Sequence, residues 1–107
     1  MDNPPLRRLR DKTTIEVLWI YILSLMKDEP LYAYEIKERI EDKYGFEIGK
    51  VTAYMVLYRL EYEGYVETEW RVIENRQRKY YRITESGRET LDEGVKYVKG
   101  LAEELEH

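Results

Sequence analysis

The fold is decided by residues 51–83, which read VTAYMVLYRLEYEGYVETEWRVIENRQRKYYRI. In the first part of this stretch the apolar side chains recur with the period of a helix that has one buried face; they are Ala53, Val56, Leu57 and Leu60. After Gly64 the period shortens to two, because β-branched and aromatic residues alternate with charged ones. The pattern therefore predicts a helix over 51–63 that ends at Gly64 and is followed by a strand over 65–72.

The strand is predicted to return as a hairpin. Residues 74–77, Glu-Asn-Arg-Gln, have the composition of a turn, and residues 79–83 form a second run of strand-forming residues. Three cations near this turn, at Arg76, Arg78 and Lys79, are predicted to cluster at the hairpin tip. A basic hairpin that directly follows a helix is typical of the wing of a winged helix-turn-helix domain.

Two further helices are predicted upstream. Residues 13–16, Thr-Thr-Ile-Glu, fit a capping box, so the first helix is expected to begin there and to run to Met26, before Pro30. Its apolar residues surround the helix, which predicts burial on all sides and a partner chain that covers one of them. The next helix is predicted from Ala33 to Tyr44, with Gly45 as its stop.

These elements predict an α+β, mainly α, winged helix-turn-helix fold with a long C-terminal dimerisation helix. Thr84 is expected to cap that helix, whose apolar residues step alternately by four and three, as in a coiled coil: Leu91, Val95, Val98, Ala102 and Leu105. The predicted boundaries are a basic N-terminal arm over 1–12, the DNA-binding domain over 13–83 and the dimerisation helix over 84–107. Residues 105–107, Leu-Glu-His, also resemble the start of an affinity-tag remnant, which is the alternative to a native continuation of this helix.

Composition argues against an enzyme. The chain of 107 residues has no cysteine, and its one histidine is His107, so thiolate metal sites and histidine-dependent triads lack their residues. We therefore expect no cofactor and no bound metal. The sequence begins without a signal-peptide pattern and has no apolar run long enough to span a bilayer, which predicts a cytoplasmic protein without a membrane partner.

The distribution of charge favours a nucleic-acid partner, although the net charge is −4. Residues 71–82 carry five basic residues against one acidic residue, a local charge of +4, whereas residues 84–107 carry three basic against seven acidic residues, a local charge of −4. The acidity is therefore separated from the basic hairpin, which suits a local anion-binding surface.

Three stretches resemble the PadR family of transcriptional regulators, particularly its short members with one C-terminal helix. They are residues 31–36, LYAYEI; residues 52–66, TAYMVLYRLEYEGYV; and residues 78–87, RKYYRITESG. The sequence departs from the family pattern at Met55, where the family usually has proline, and at Lys50 and Val51, where small residues are common. The resemblance implies a winged helix-turn-helix homodimer that binds double-stranded DNA. A small-molecule effector remains an open question, since the last helix has only Tyr97 in place of the aromatic residues of drug-binding members.

The residues expected to contact DNA lie on the outward face of the third helix and in the wing. They are Lys50, Thr52, Tyr54, Tyr58, Arg59, Arg76, Arg78 and Lys79. Three residues of the third helix have a second interpretation. Tyr54 and Tyr62 could equally pack against neighbouring helices, and Arg59 could pair with Glu63 four residues later. The two tryptophans, Trp19 and Trp70, are interpreted as core or interface residues.

The residues expected at the dimer interface lie on the first and last helices. They are Ile15, Trp19, Ile22, Leu91, Val95, Val98 and Ala102. The leading hypothesis is a sequence-specific transcriptional regulator, a repressor, that binds a pseudo-palindromic operator as a homodimer. The alternative is a winged-helix module that docks a protein partner through its outward apolar side chains and binds DNA weakly or not at all.

Overall fold

The computed structural model of the protein describes residues 3–107, so the first two residues of the predicted N-terminal arm lie outside the described part of the chain. Five α-helices, one 3-10 helix and three strands follow one another along it. They are α1 (Pro4–Lys12), the 3-10 helix (Ile15–Val17), α2 (Leu18–Leu25), β1 (Leu31–Tyr32), α3 (Ala33–Tyr44), α4 (Lys50–Tyr62), β2 (Val66–Ile73), β3 (Arg76–Ile83) and α5 (Glu85–Glu106). The predicted winged helix-turn-helix, α+β and mainly α, is confirmed.

The predicted arm contains a helix, α1. Asn3 is its N-cap, and the side chain of Asn3 accepts a hydrogen bond of 2.8 Å from the backbone N–H of Leu6. Pro4 and Pro5 occupy the first helical positions, where a missing N–H has no cost. The basic residues of the predicted arm, Arg7, Arg8, Arg10 and Lys12, therefore lie on a helix that precedes the winged domain.

The capping box predicted at residues 13–16 does not form. Thr13 ends α1, and its hydroxyl donates a hydrogen bond of 2.7 Å to the carbonyl of Leu9. Thr14 makes no side-chain cap, and Glu16 accepts instead from the ammonium of Lys12 at 3.0 Å. The predicted single helix is therefore a 3-10 turn followed by the short helix α2, because the two threonines are already used by the helix before them.

The core lies between α2, α3, α4 and the base of the sheet. Most of its fully buried side chains come from these helices: Leu18, Ile22, Leu23, Met26, Ile36, Ile40 and Leu57. The chain thus covers most of α2 by itself. The sides of α2 that stay partly exposed carry Trp19, Ile20 and Leu25, which pack against the edge of the core.

The helix-turn-helix is formed by α3 and α4. The helix predicted over 33–44 is confirmed at both ends, and Gly45 ends it with a φ of 77° in the left-handed region that glycine adopts without steric cost. The helix predicted over 51–63 begins and ends one residue earlier, at Lys50 and Tyr62. Between the two helices Ile48 is buried, which ties the connection to the core.

The sheet has the strand order β1-β3-β2 and is antiparallel. The wing hairpin is longer than predicted, since β2 and β3 pair along their whole lengths from Val66 with Ile83 to Ile73 with Arg76. Glu74 and Asn75 alone form the turn, with φ of 50° and 64°. Two left-handed residues in a two-residue loop are the pattern of a type I′ turn, whose twist matches that of the strands.

The last helix begins as predicted. The hydroxyl of Thr84 accepts from the backbone N–H of Gly87 at 3.0 Å and donates to the carbonyl of Gly64 at 2.7 Å. A Cβ at Gly87 would lie 2.2 Å from the carbonyl oxygen of Tyr65, so the start of α5 approaches the chain before β2 closely. Beyond Val95 nearly every residue is exposed, because α5 projects away from the domain. None of the helices within residues 3–107 combines the length and the apolar character needed to cross a membrane.

Candidate nucleic-acid interface

Helix α4 divides cleanly into an inner and an outer face. Ala53, Leu57 and Leu60 are buried against the core, and Val56 is half-buried beside them. The opposite face is open to solvent over the whole length of the helix, and its large side chains are Val51, Tyr54, Met55, Tyr58 and Tyr62. An outer face of five large apolar or aromatic residues has no structural role in one chain, which makes it a surface for contact with another molecule.

The sequence-predicted residues of α4 lie on or beside this face. Lys50, Tyr54, Tyr58 and Arg59 are exposed, and Thr52 is half-buried. Of the two tyrosines with a second interpretation, Tyr62 is 83% exposed, whereas Tyr54 is 47% exposed and lines a cleft beside α3. Arg59 pairs neither with Glu63 nor with any other carboxylate among the described residues.

The N-terminal end of α4 is open as well. Gly49 occupies the N-cap position with an extended backbone, and no side chain accepts from the first free N–H groups of the helix. Lys50 follows as the first helical residue and is exposed. Free N–H groups, the positive end of the helix dipole and a lysine together make this end of α4 attractive to an anion.

The register of the wing assigns its side chains to two faces. Residues that pair directly across two antiparallel strands share a face, so Trp70 lies with Lys79 on the inner face, towards α4, and Arg71 lies with Arg78 on the outer face. Of the three cations predicted to cluster at the tip, Arg76 directly follows the turn and shares the outer face with Arg78, whereas Lys79 lies on the inner face. Consecutive residues of a strand point to opposite faces, and the tip itself is formed by Glu74 and Asn75.

Each of the three wing cations has different surroundings. The ammonium of Lys79 lies 3.6 Å from the carboxylate of Glu61 on α4. The guanidinium of Arg78 lies 4.5 Å from the centre of the Tyr32 ring, a cation–π contact on the outer face. Arg76 is exposed at the start of β3 and makes no ion pair among residues 3–107, so it is the wing cation most available to a partner.

Two ionisable groups of the wing have shifted pKa values. The hydrogen bond from Arg71, at 2.8 Å, together with ion pairing to Arg71 and Arg82, lowers the pKa of Glu69, although partial desolvation opposes the shift. Burial raises the pKa of the Tyr81 hydroxyl, and the electrostatic interaction with Glu61 adds to the effect. The outer face of the wing therefore keeps a carboxylate between arginines, and Tyr81 stays neutral at the junction with α4.

Two exposed aromatic residues beside this surface were not among the residues predicted from the sequence to contact DNA. Tyr34 is 62% exposed in the first turn of α3, and it lines a cleft together with Lys37 and residues of α4. Trp70 was interpreted as a core or interface residue; its 64% exposure on the inner face of the wing excludes the core and leaves the interface interpretation. The sequence signal that could have identified Tyr34 is its position one residue inside a predicted helix start. The exposure of Trp70 had no such signal, because it depends on how far the hairpin extends past the core.

The residues predicted at the dimer interface divide into two groups. Ile22 and Leu91 are buried in the core of their own chain, with 0% and 3% exposure, so they have no surface left to present to a partner. The other five retain accessible surface: Ile15, Trp19, Val95, Val98 and Ala102. Leu101 and Leu105 extend the exposed stripe of α5, with 45% and 78% exposure.

Comparison with known proteins places this geometry in context. The family model described as "Transcriptional regulator PadR-like family" matches residues 22–93. The transcriptional regulator Rv3488 of Mycobacterium tuberculosis is 30% identical over 86 residues, which cover 80% of this chain and 79% of that protein.

Two solved structures of PadR-family proteins are similar to this chain in fold. A PadR-family transcriptional regulator from Eggerthella lenta superposes with a TM-score of 0.77 at 30% identity, covering 94% of this chain and 84% of that one. PadR of Bacillus subtilis, solved in complex with operator DNA, is similar in fold with a TM-score of 0.69 at 24% identity, covering 77% of this chain and 48% of that one. The short form with a single helix after the wing therefore matches most of the Eggerthella lenta protein and about half of the Bacillus subtilis protein.

Proposed function

This chain belongs to the PadR-like family of transcriptional regulators, and from that premise we propose that it binds double-stranded operator DNA sequence-specifically, as a homodimer, and represses transcription. The observation that carries the proposal is the open outer face of α4 beside the wing. The proposed function includes no catalytic step, because the outer face of α4 offers contacts to a nucleic acid and carries no paired nucleophile and base.

The dimensions of α4 fit the major groove. The helix has 13 residues and is about 20 Å long. A B-DNA major groove is about 12 Å wide and accepts one α-helix, whose exposed side chains then face the base edges. In this arrangement the outer face of α4 enters the groove, and the inner face stays packed on α2 and α3.

The chemistry of the face indicates how it reads sequence. Thr52 and Lys50 are at the N-terminal end of α4, where a hydroxyl and an ammonium reach a base edge or a phosphate. Val51 and Met55 are apolar and exposed, which suits contact with thymine methyl groups. The hydroxyls of Tyr54 and Tyr58 supply donors to phosphate oxygens.

We propose that α5 and α1 form the dimer interface. The exposed stripe of α5 consists of Val95, Val98, Leu101 and Leu105, and within residues 3–107 no part of the chain covers it. Its three- and four-residue spacing suits helix-on-helix packing against a second copy. Leu6 and Leu9 on α1, with 36% and 60% exposure, add a second uncovered apolar surface, and the basic residues of α1 complement the net negative charge of α5.

Selection of bound fragments from random and genomic DNA, followed by titration of the selected duplex at several salt concentrations, tests the proposal. Contact with about six phosphates predicts a slope of log K against log salt of about −5, and a selected duplex should bind more tightly than a scrambled one. The absence of duplex binding at low salt would overturn the proposal.

A protein-docking module is the second candidate, and the apolar character of the α4 face favours it. Val51, Met55 and Tyr58 are each at least 67% exposed, and such a patch also suits a protein partner. Salt dependence separates the two functions, because an apolar protein contact is not weakened by added salt in the way that phosphate contacts are.

A further inference from the structure

The sulfur atoms of the chain differ in their access to solvent. The sequence has three methionines and no cysteine. Met1 lies outside the described residues, and Met26 is 1% exposed in the core. Met55 is 67% exposed in the middle of the outer face of α4. Within residues 3–107, the sulfur of Met55 is therefore the one that a dissolved reagent can reach.

Two hollows of the surface border Met55. One, of about 450 Å³, lies between α2, α4 and α5, and Trp19 and Val56 are among its other lining residues. The second, of about 550 Å³, lies along the outer face of α4, where Tyr54 and Tyr58 line it together with Met55. A small oxidant can approach the thioether from both sides without any movement of the fold.

We propose that Met55 is a site of reversible oxidation to methionine sulfoxide by a peroxide, and that this modification lowers the affinity of the protein for its operator. The inference rests on the proposed function and adds a redox-sensitive control to it. Met55 is one of the positions at which the chain departs from the family pattern, so the site is a property of this sequence.

The modification transfers one oxygen atom to the sulfur. A lone pair of the Met55 sulfur attacks one oxygen of hydrogen peroxide, an S–O bond forms and the O–O bond breaks. The proton on the transferred oxygen passes to the departing hydroxide, which leaves as water. Sulfur loses two electrons and the peroxide gains them. In the reverse step, which methionine sulfoxide reductases catalyse, two thiols become a disulfide and the oxygen leaves as water.

The free protein tolerates the sulfoxide. The new oxygen is a hydrogen-bond acceptor, and water reaches it because Met55 lies outside the core. Arg59 lies four residues later on the same side of α4, is exposed and pairs with no carboxylate among the described residues. Its guanidinium is therefore a second donor near the sulfoxide. We expect oxidation of Met55 to leave the fold and its free energy of unfolding unchanged.

The complex with DNA does not tolerate it equally well. In the proposed complex Met55 meets a thymine methyl group, which is an apolar contact without a hydrogen-bond donor. A sulfoxide oxygen brought into that contact loses its water and gains no partner, and such a loss weakens association about tenfold. The phosphate contacts of the complex do not involve the thioether. Oxidation should therefore reduce the preference for the operator and leave general attraction to DNA in place.

The first measurement locates the modification. The full chain is treated with hydrogen peroxide at neutral pH, and peptide mapping by mass spectrometry follows the gain of one oxygen at each methionine. Met55 is expected to be oxidised much faster than Met26, which serves as the internal control because the core covers it. Methionine sulfoxide reductases of both stereospecificities, with dithiothreitol, should remove the added oxygen.

The second measurement is the affinity for labelled duplexes of selected and scrambled sequence before and after peroxide. The oxidised wild type should bind the selected duplex about tenfold more weakly, with little change for the scrambled duplex. Its salt slope should be unchanged, because no phosphate contact is lost. Met55→Leu keeps an apolar side chain of similar volume without sulfur, so its affinity should be the same before and after peroxide. Met55→Gln carries a polar side chain of similar length and should bind like the oxidised wild type without treatment.

The results separate the modification site from the proposed function. Equal oxidation rates at Met55 and Met26, or unchanged affinity of the oxidised wild type, would overturn the inference while the proposed function stands. If Met55→Leu loses affinity after peroxide as the wild type does, another residue is responsible and the inference is wrong. If the untreated wild type binds no duplex at low salt, the proposed function fails and the redox control fails with it.

Discussion

The ammonium of Lys79 lies 3.6 Å from the carboxylate of Glu61, so the inner face of the wing is tied to the C-terminal half of α4. The same carboxylate accepts a hydrogen bond of 3.2 Å from the hydroxyl of Thr68 on β2. Glu61 therefore links α4 to both strands of the wing. Lys79, predicted from the sequence as a phosphate contact, is engaged within its own chain.

The first prediction compares the contributions of Lys79 and Arg76 to DNA binding. Arg76→Ala is expected to lower the salt slope of DNA binding by about 0.9, because an exposed cation that contacts a phosphate is lost. Lys79→Ala should change the slope less than Arg76→Ala does, and it should lower the free energy of unfolding by at most about 1 kcal/mol, the upper value for an ion pair that remains accessible to solvent.

Fluorescence anisotropy at several salt concentrations, with denaturant unfolding of the same variants, measures both quantities. An equal loss of slope for the two variants would show that Lys79 leaves Glu61 to bind phosphate.

The second prediction concerns two glycines of α5. Gly87→Ala places a Cβ 2.2 Å from the carbonyl oxygen of Tyr65, and a backbone atom cannot move aside cheaply, so we expect a loss of about 3 kcal/mol in unfolding free energy. Gly100→Ala is the matched control. No atom lies within 4 Å of its added methyl group, and the higher helix propensity of alanine should stabilise the protein by up to about 1 kcal/mol.

Urea unfolding followed by circular dichroism measures these changes. A wild-type stability for Gly87→Ala would mean that the start of α5 does not approach the chain at Tyr65 as described.

Helices α3 and α1 show which local features of the fold can be predicted from sequence. The signals for α3 are local: apolar residues with helical spacing and Gly45 at the required left-handed position. Helix α1 was not predicted, because residues 1–12 were interpreted from their charge as a basic arm. The signal that identifies it is Asn3 followed by Pro4 and Pro5, an N-cap with prolines at the first helical positions.

The parts that were not predicted depend on contacts between distant residues. Strand β1 has only two residues and exists because Leu31 and Tyr32 pair with Tyr81 and Tyr80, about fifty positions later. Arg78 and Lys79 are consecutive in a strand and therefore lie on opposite faces, but which of them faces α4 depends on strand register, since a shift of one residue reverses every side chain. Composition indicated a basic wing correctly, but only the register shows which cations remain available.

The third prediction concerns the wing turn, where Glu74 and Asn75 both have positive φ. Asn75→Gly is expected to raise the unfolding free energy by about 0.5–1 kcal/mol, because glycine adopts this conformation without the steric cost of a Cβ. Asn75→Ala should lower it, since alanine tolerates the left-handed region less well than asparagine. Thermal unfolding of the three proteins gives the order directly, and greater stability of the alanine variant would contradict the type I′ turn.

The fourth prediction concerns the dimer. Val95→Glu combined with Val98→Glu places charges on the uncovered stripe of α5, where burial in an interface would cost several kcal/mol. Sedimentation should give the wild type twice the 13.0 kDa mass of one chain and give the double variant the single-chain mass. Lys96→Glu adds negative charge to the same helix about 100° away from Val95 and should leave the mass unchanged. Identical masses for wild type and double variant would exclude this stripe as the interface.

The last prediction concerns the operator, which should be a pseudo-palindrome, because a two-fold dimer presents the same recognition helix twice. For both copies of α4 to enter the major groove on one side of the duplex, the two helices must be about 34 Å apart, which gives half-sites about 10 base pairs apart or a multiple of that distance. Lys50 and Arg59 are the only basic residues of α4, so few side chains can bind guanine edges. We therefore expect half-sites with A·T pairs, read by Thr52 and by contact of Val51 and Met55 with thymine methyl groups.

Replacing thymine by uracil at one half-site position removes only the C5-methyl group of the base. The substitution therefore tests the proposed contact between Met55 and a thymine methyl group. Where Met55 contacts the methyl, the uracil duplex should bind the wild type more weakly than the thymine duplex, whereas Met55→Ala should bind the two duplexes alike. Footprinting supplies the geometry, because two protected half-sites on one face of the duplex require two copies of α4. Protection of a single asymmetric half-site would show that one subunit binds alone, and the assignment of the α5 stripe to a DNA-binding dimer would then be wrong.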